Sequence, residues 1–378
     1  MVFRGGNLSP VFEKLIQRVT DVPEDAAAAL DLSTIAQLMN QPSERIALQS
    51  AALEIQAHYR QPATISTGNP TVLLAFMAAG DFMANHPIEF LVSNSNVTLD
   101  MLYINDNTTL SDIPDHDVAI VAISESEANN RLLRHLTTTL SGWKRPIINR
   151  PDCIARLSRD GAWELLYDIP RIKYPKNERV TRDQLIDRFG YVLTYDTSFI
   201  IRPIDSHAGR GLEKIDDMSD LECYLANNLD YTFYVAPFID YRSSDGMYRK
   251  YRVVVIQGKA FACHMAISKH WMVHYLNAGM MHEEWKRVEE RTFMETFDIA
   301  FGFRHAPIFQ EMFERTGLEY LPIDCSETSD GDLLLFECGT SMIVHAMDSP
   351  TVFPYKQVAT NKIFSTFQTM VNQARIAG

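Results

Sequence analysis

Positive charge is the minority sign in this chain. Thirty-five lysines and arginines face 48 aspartates and glutamates, a net charge of −13 over 378 residues. That balance excludes a general nucleic-acid binder, which needs a basic face to neutralise phosphates, and makes a small molecule the expected partner. Cysteine is also scarce. The five, Cys153, Cys223, Cys263, Cys325 and Cys338, show no C-x-x-C spacing, so no disulfide framework is expected and they read as reduced, structural thiols in a cytoplasmic compartment. No run of about 18 apolar residues exists to span a membrane, and the start, MVFRGGNLSPVFEKL, lacks the apolar core of a signal peptide. There is no Gly-Lys-Ser/Thr, which excludes a P-loop. Internal repeats and low-complexity tracts are absent as well.

What is there suffices for two or three domains with a large buried core. Residues 1–62 read as helical, with Ser43 as an N-cap and a helix running on past Tyr59 to stop before Pro62. Packing or homodimerisation is the role expected of them. From Thr71 the texture changes to buried-strand runs, Val72–Phe76, Leu99–Ile104 and Val118–Ile123, with a helix pattern from Glu125 to Leu140. Alternating strands and helices predict a parallel sheet over 63–148, whose ligands bind at strand carboxyl ends. Asp81 and Asn85 fall there as candidate substrate contacts, or as caps of the following segment.

Two later stretches carry chemistry. In Tyr320–His345 two apolar runs flank Ser329-Asp330-Gly331-Asp332, the signature of a β-hairpin. Asp324 and Glu337 are then expected on one face, and two facing carboxylates imply a shared proton or a divalent cation, here Mg²⁺. In Phe199–Ile215 a strand ending at Arg202-Pro203 leads into a small-residue loop with Gly209 and Gly211, flanked by His207 and Arg210. Glycines let such a loop bring its amides against an anion, though an ordinary hairpin turn has the same composition. Between them, alternation puts Lys250 and Arg252 on one strand face. His264, His270 and His274 crowd the run after it without zinc spacing, and His274 is a candidate substrate contact.

The order of these elements over Asn149–Met347 resembles the ATP-grasp superfamily of carboxylate–amine ligases. The resemblance implies an ATP-grasp fold over 149–378, α/β and α+β in class, with a small lid lobe at about 172–240, preceded by the parallel-sheet α/β domain and the amino-terminal helical segment. It implies ATP and Mg²⁺ as cofactors. By position, Arg159 would reach the phosphates, the hinge residues Tyr234, Val235 and Ala236 would hold adenine through the backbone, Asp240 would contact ribose, and Asp324 with Glu337 would bind the metal. Lys250 and Arg252 would stabilise an acylphosphate. Two departures stand out: Arg202 replaces the usual lysine before Pro203, and Glu337-Cys338-Gly339 lacks the final Asn of Glu-x-Asn, leaving Thr340 as an alternative donor. The expected activity is amide or peptide bond formation between a small-molecule or peptide carboxylate and an amine, releasing ADP and phosphate. A small-molecule kinase and a nucleotide-binding module without turnover are the alternatives.

Overall fold

The computed structural model describes residues 6–65, 68–185, 187, 198–206 and 209–377. Three helices open the chain: α1 (Ser9–Asp21), α2 (Ala26–Leu38) and α3 (Pro42–Ile55). The Asp25 carboxylate caps α2 by accepting the Ala28 N–H at 2.9 Å. The cap expected at Ser43 lies two positions earlier, because Pro42 supplies the fixed φ of a first helical residue and Gln41 becomes the N-cap. The expected helix to Pro62 also ends early. After Ile55 the chain straightens into β1 (His58–Gln61), where Tyr59 is buried and Arg60 pairs with Asp100 of the neighbouring strand. The boundary at 62 therefore cuts off a strand that belongs to the sheet of the next unit.

That sheet has the order β1-β3-β2-β4-β5, with β2 (Thr71–Met77), β3 (Val97–Tyr103), β4 (Val118–Val121) and β5 (Ile147–Ile148). All its pairings are parallel except β1 on β3. The chain goes from β2 to one side and returns to the other. The loops after β2 and β4 consequently meet at a topological switch point, where open α/β sheets bind ligands. The helix after β4 is shorter than its pattern, Asn130–Thr139 rather than 125–140, because the Ser126 hydroxyl takes the Asn129 N–H and holds a turn before it.

A lid sheet follows, in the order β7-β10-β8-β9, with β7 (Glu178–Thr181), β8 (Phe199–Pro203), β9 (Glu213–Ile215) and β10 (Thr232–Pro237). The third sheet runs β12-β11-β13-β14-β6, with β11 (Tyr248–Ile256), β12 (Lys259–Ser268), β13 (Tyr320–Glu327), β14 (Leu333–Cys338) and β6 (Ile172–Lys173). The lid keeps its own small core, centred on Tyr224 and Phe233. The other two sheets share one: Leu73 and Leu99 pack with Val254, Tyr320 and the terminal helix Lys356–Ala377 through Phe367. Thr71 is tied to Asn372 of that helix by a 2.7 Å hydrogen bond. No helix among the described residues is long and apolar enough to cross a membrane.

Two local features shape the surroundings of the third sheet. The helix Phe301–Thr316 runs through Pro307; the carbonyl deprived of its bond belongs to Phe303, a residue 76% exposed. His270 and His274 share no helix face. The His270 N–H donates to the Ser268 hydroxyl (3.0 Å) and its ring accepts the Met272 N–H (3.2 Å), local bonds that compete with a helix and leave one 3₁₀ turn at Tyr275–Asn277.

Candidate functional site

The register of the third sheet sets four polar residues side by side on consecutive strands. His264 of β12 pairs with Arg252 of β11, Arg252 with Asp324 of β13, and Asp324 with Glu337 of β14. Irregularities in the ladders fall at Arg252/Val253 and Asp324/Cys325, immediately beside this row. Bulges re-aim side chains in this way at many active sites. The hairpin and the shared face of Lys250 and Arg252 are as the sequence implied.

The electrostatics depart from expectation. Asp324 and Glu337 are not a bare carboxylate pair awaiting a shared ion. The Arg252 guanidinium donates to both Asp324 oxygens, Nε at 2.8 Å and Nη2 at 3.0 Å, and Lys250 Nζ lies 2.7 Å from Oδ2. Glu337 is salt-bridged to Arg159, the first residue of helix Arg159–Leu166, whose N-cap Ser158 accepts the Gly161 N–H. Burial alone would push the Asp324 carboxyl up, but Arg252 and Lys250 override it and keep it well below the usual range. Glu337 feels the same opposition, burial against Arg159, and is held at about 2. Both are therefore ionised and individually neutralised. The donor set does not fit a Mg²⁺ shared between them. Gly339, at the departure from Glu-x-Asn, adds no donor, and the Thr340 hydroxyl is enclosed and has no hydrogen-bond partner among the described residues.

Arg202 reaches the same region from the lid. It is 8% exposed, its Nε donates to the Ser206 hydroxyl at 2.9 Å and its Nη2 to the Ser206 carbonyl, so it closes the base of the glycine loop. Burial and the nearby Arg159 charge lower it to about 9. Gly209 and Gly211 both have left-handed backbones, φ +78° and +64°, and a Cβ on Gly211 would lie 2.8 Å from the Pro203 ring. Arg210 is exposed. His207 lies outside the described residues.

In the hinge, Tyr234 and Val235 stand between two strands, paired with Arg179 and Glu178 of β7 on one side and Arg202 and Ile201 of β8 on the other. Their backbone groups are spent on the ladders, which corrects the expectation that they would hold adenine. Ala236 is the first hinge residue beyond the last β7 pairing. The Phe238 N–H then bonds Ser198 on the β8 side at 3.1 Å. Alternation turns the Pro237 carbonyl and the Ile239 N–H the other way, past the end of β7. The Tyr234 side chain is occupied as well: its hydroxyl donates to Asp160 at 3.0 Å and Arg179 lies 5.1 Å from its ring. Asp240 is exposed and ion-paired with Arg242.

At the switch point, Asn85 is not available to a substrate. Its amide oxygen accepts the Ala78 N–H and its nitrogen donates to the Ala78 carbonyl, both at 2.7 Å. Asp81 is exposed and accepts the Met83 N–H at 2.8 Å, a local turn that leaves oxygen capacity unused. His274 is half-buried; burial, then Lys250 and Arg252, lower its imidazole and keep it neutral.

Sequence reasoning left three residues without a place in the site. His264, noted only as one of three crowded histidines, enters through strand register. Gln49 of α3 clasps Gly80, accepting its N–H at 2.9 Å and donating to its carbonyl at 3.0 Å, so the amino-terminal helices brace the loop that carries Asp81. Glu125, in the loop after β4, is pushed up to about 7 by burial and by Asp205. Beside it the Glu127 N–H donates to the Asp205 carboxylate of the lid, and Arg179 bridges Glu127 and Asp160. These contacts fasten the lid to the parallel-sheet domain.

No family model and no curated protein matches the chain. It is similar to solved structures of ATP-grasp proteins. One is a RimK-domain ATP-grasp protein from Sphaerobacter thermophilus, 13% identical with a TM-score of 0.44, covering 79% of this chain and 99% of that one. A second is D-alanine–D-alanine ligase from Bacillus anthracis complexed with ATP, 13% identical, TM-score 0.48, covering 82% and 99%. A third is the ATP-grasp ligase PsnB complexed with its precursor peptide PsnA2 and AMPPNP, 9% identical, TM-score 0.43, covering 80% and 99%. At these values the likeness carries no argument about chemistry, which rests on the residues of the site.

Proposed function

We propose that this chain is an ATP-dependent carboxylate–amine ligase. The observation that carries the reading is the row His264, Arg252, Asp324 and Glu337, flanked by Lys250 and met by Arg159 at the α-helix start and Arg202 from the lid. Four cations against two ionised carboxylates leave a positive excess between the lid and the third sheet, suited to the phosphates of ATP and to a phosphoryl group in transit. ATP enters as its magnesium complex, with adenine against the Pro237 carbonyl and Ile239 N–H. The glycine loop, anchored at Arg202 and Ser206, covers the phosphates.

A substrate carboxylate oxygen takes the γ-phosphoryl group, breaking its bond to ADP and forming an acylphosphate. An amine then attacks the acyl carbon, loses a proton and expels phosphate. Lys250 and Arg252 hold the oxyanions of both steps, and the lid excludes the water that would hydrolyse the intermediate. The substrates, amino acids or short peptides, approach from the switch point, where Asp81 can hold an ammonium. The test is a screen of amino acids and short peptides for ADP release, with mass analysis of products. Release that requires both a carboxylate and an amine, with an amide product, supports the ligase; a phosphorylated product at steady state replaces it with a kinase.

A further inference from the structure

The two carboxylates of the row differ in what they have left to offer. The Glu337 side chain is 31% exposed and faces one arginine. The Asp324 side chain has no exposed surface and sits in a central strand that is otherwise apolar and buried up to Ser326. Two charge-assisted hydrogen bonds reach Asp324: the guanidinium fork takes one lone pair on each oxygen, and the Lys250 ammonium is ion-paired with Oδ2 at 2.7 Å, so three N–O contacts with two cations already crowd the carboxylate. A divalent cation at Asp324 would have to displace a bidentate arginine, or sit within contact of two full positive charges.

The donors on the other side of these bonds are only partly used. Lys250 is ion-paired with Asp324 through Oδ2. Arg252 spends two on Asp324 and a third, from Nη1, on the Ile343 carbonyl at 3.2 Å. Among the described residues, at least two N–H groups of each side chain therefore remain for an anion, and the trio carries a net charge of +1.

We propose that Asp324 is a positioning residue that locks Lys250 and Arg252 into a fixed clamp for a phosphoryl or carboxylate oxyanion, and that it coordinates no divalent cation. Side chains thus supply, at this point of the row, the positive charge that the sequence pattern assigned to a metal. The inference deepens the ligase reading and rests on it for the identity of the anion. Its test does not, because the readouts are binding measurements on the intact chain that need no turnover.

Mn²⁺ affinity in the presence of ADP is measured by electron paramagnetic resonance, and pyrophosphate affinity without metal by calorimetry. Asp324→Asn is expected to leave Mn²⁺ affinity within about threefold of the parent, whereas loss of a direct ligand predicts a fall of tenfold or more and overturns the proposal. The same variant is expected to weaken pyrophosphate at least fivefold. Removing a negative charge by itself would tighten pyrophosphate, so tighter binding also overturns it. Lys250→Met, which keeps the Arg252–Asp324 pair, serves if Asp324→Asn does not fold. It is expected to weaken pyrophosphate about tenfold with Mn²⁺ affinity within threefold; a tenfold gain in Mn²⁺ affinity would show Asp324 to be a masked metal ligand.

Discussion

Glu125→Gln should convert a pH-dependent loss of stability into a plateau. In the folded chain the Glu125 carboxyl is raised from its ordinary 4.5 to about 7, first by burial and then by Asp205, with Glu127 and Asp160 adding to the effect and Arg179 opposing it. A raised acid means that the folded state binds the proton more tightly than the unfolded state between pH 4.5 and 7. Stability therefore falls as pH rises through that window, and the loss is complete above about 7. At about 1.36 kcal/mol per pH unit, the difference between 4.5 and about 7 corresponds to roughly 3 kcal/mol. Glutamine imitates the protonated form and has nothing to lose. Urea unfolding of the two proteins at pH 5, 6, 7 and 8 reads the difference, since the other titrating groups are common to both. The variant should match the parent near pH 4.5 and exceed it by about 1–3 kcal/mol at pH 8, allowing for relaxation around the ionised acid. A stability difference that does not vary with pH, or a variant weaker than the parent at pH 8, would refute the account of this loop.

Other perturbations test the rest of the site. Arg252→Met leaves Asp324 buried with Lys250 as its one paired cation among the described residues and should cost about 3–5 kcal/mol by thermal or urea unfolding, while adding Asp324→Leu should recover most of that loss. Gly339→Asn should fold with a change of at most about 0.5 kcal/mol, because a Cβ there meets no atom within 4 Å; a cost of several kcal/mol would contradict the open space seen beside Glu337. Asn85→Ala removes both bonds to Ala78 and should cost about 1–3 kcal/mol, whereas Asp81→Asn, whose carbonyl can still accept the Met83 N–H, should leave the melting temperature nearly unchanged.

The sequence by itself determined whatever depends on neighbours in the chain. The Asp-Gly turn and its apolar flanks specified the hairpin, alternation put Lys250 and Arg252 on one face, and two glycines marked the loop where left-handed backbone and a close approach to Pro203 are needed. Strand runs separated by helix patterns specified the parallel sheet and the place of Asp81. What it left open is decided by pairing over long separations. Nothing within a few residues of Asp324 shows that Arg252, 72 positions earlier, will fork onto it, or that Arg159 will reach Glu337 across 178. Two unpaired carboxylates imply a metal or a shared proton, and the same two with private cations do not; only the tertiary pairing, with β11 for Asp324 and with the Arg159 helix for Glu337, distinguishes the cases. The hinge gives the same lesson, since whether Tyr234 has a free backbone depends on β7 lying along its other side. Asn85 and Gln49 are polar residues in loop and helix by sequence, and the tertiary structure alone spends both amides on the backbone of one loop. The physical reason is common to all of them: hydrogen-bonding capacity is a property of a residue, but whether any of it remains for a ligand is a property of the packed neighbours.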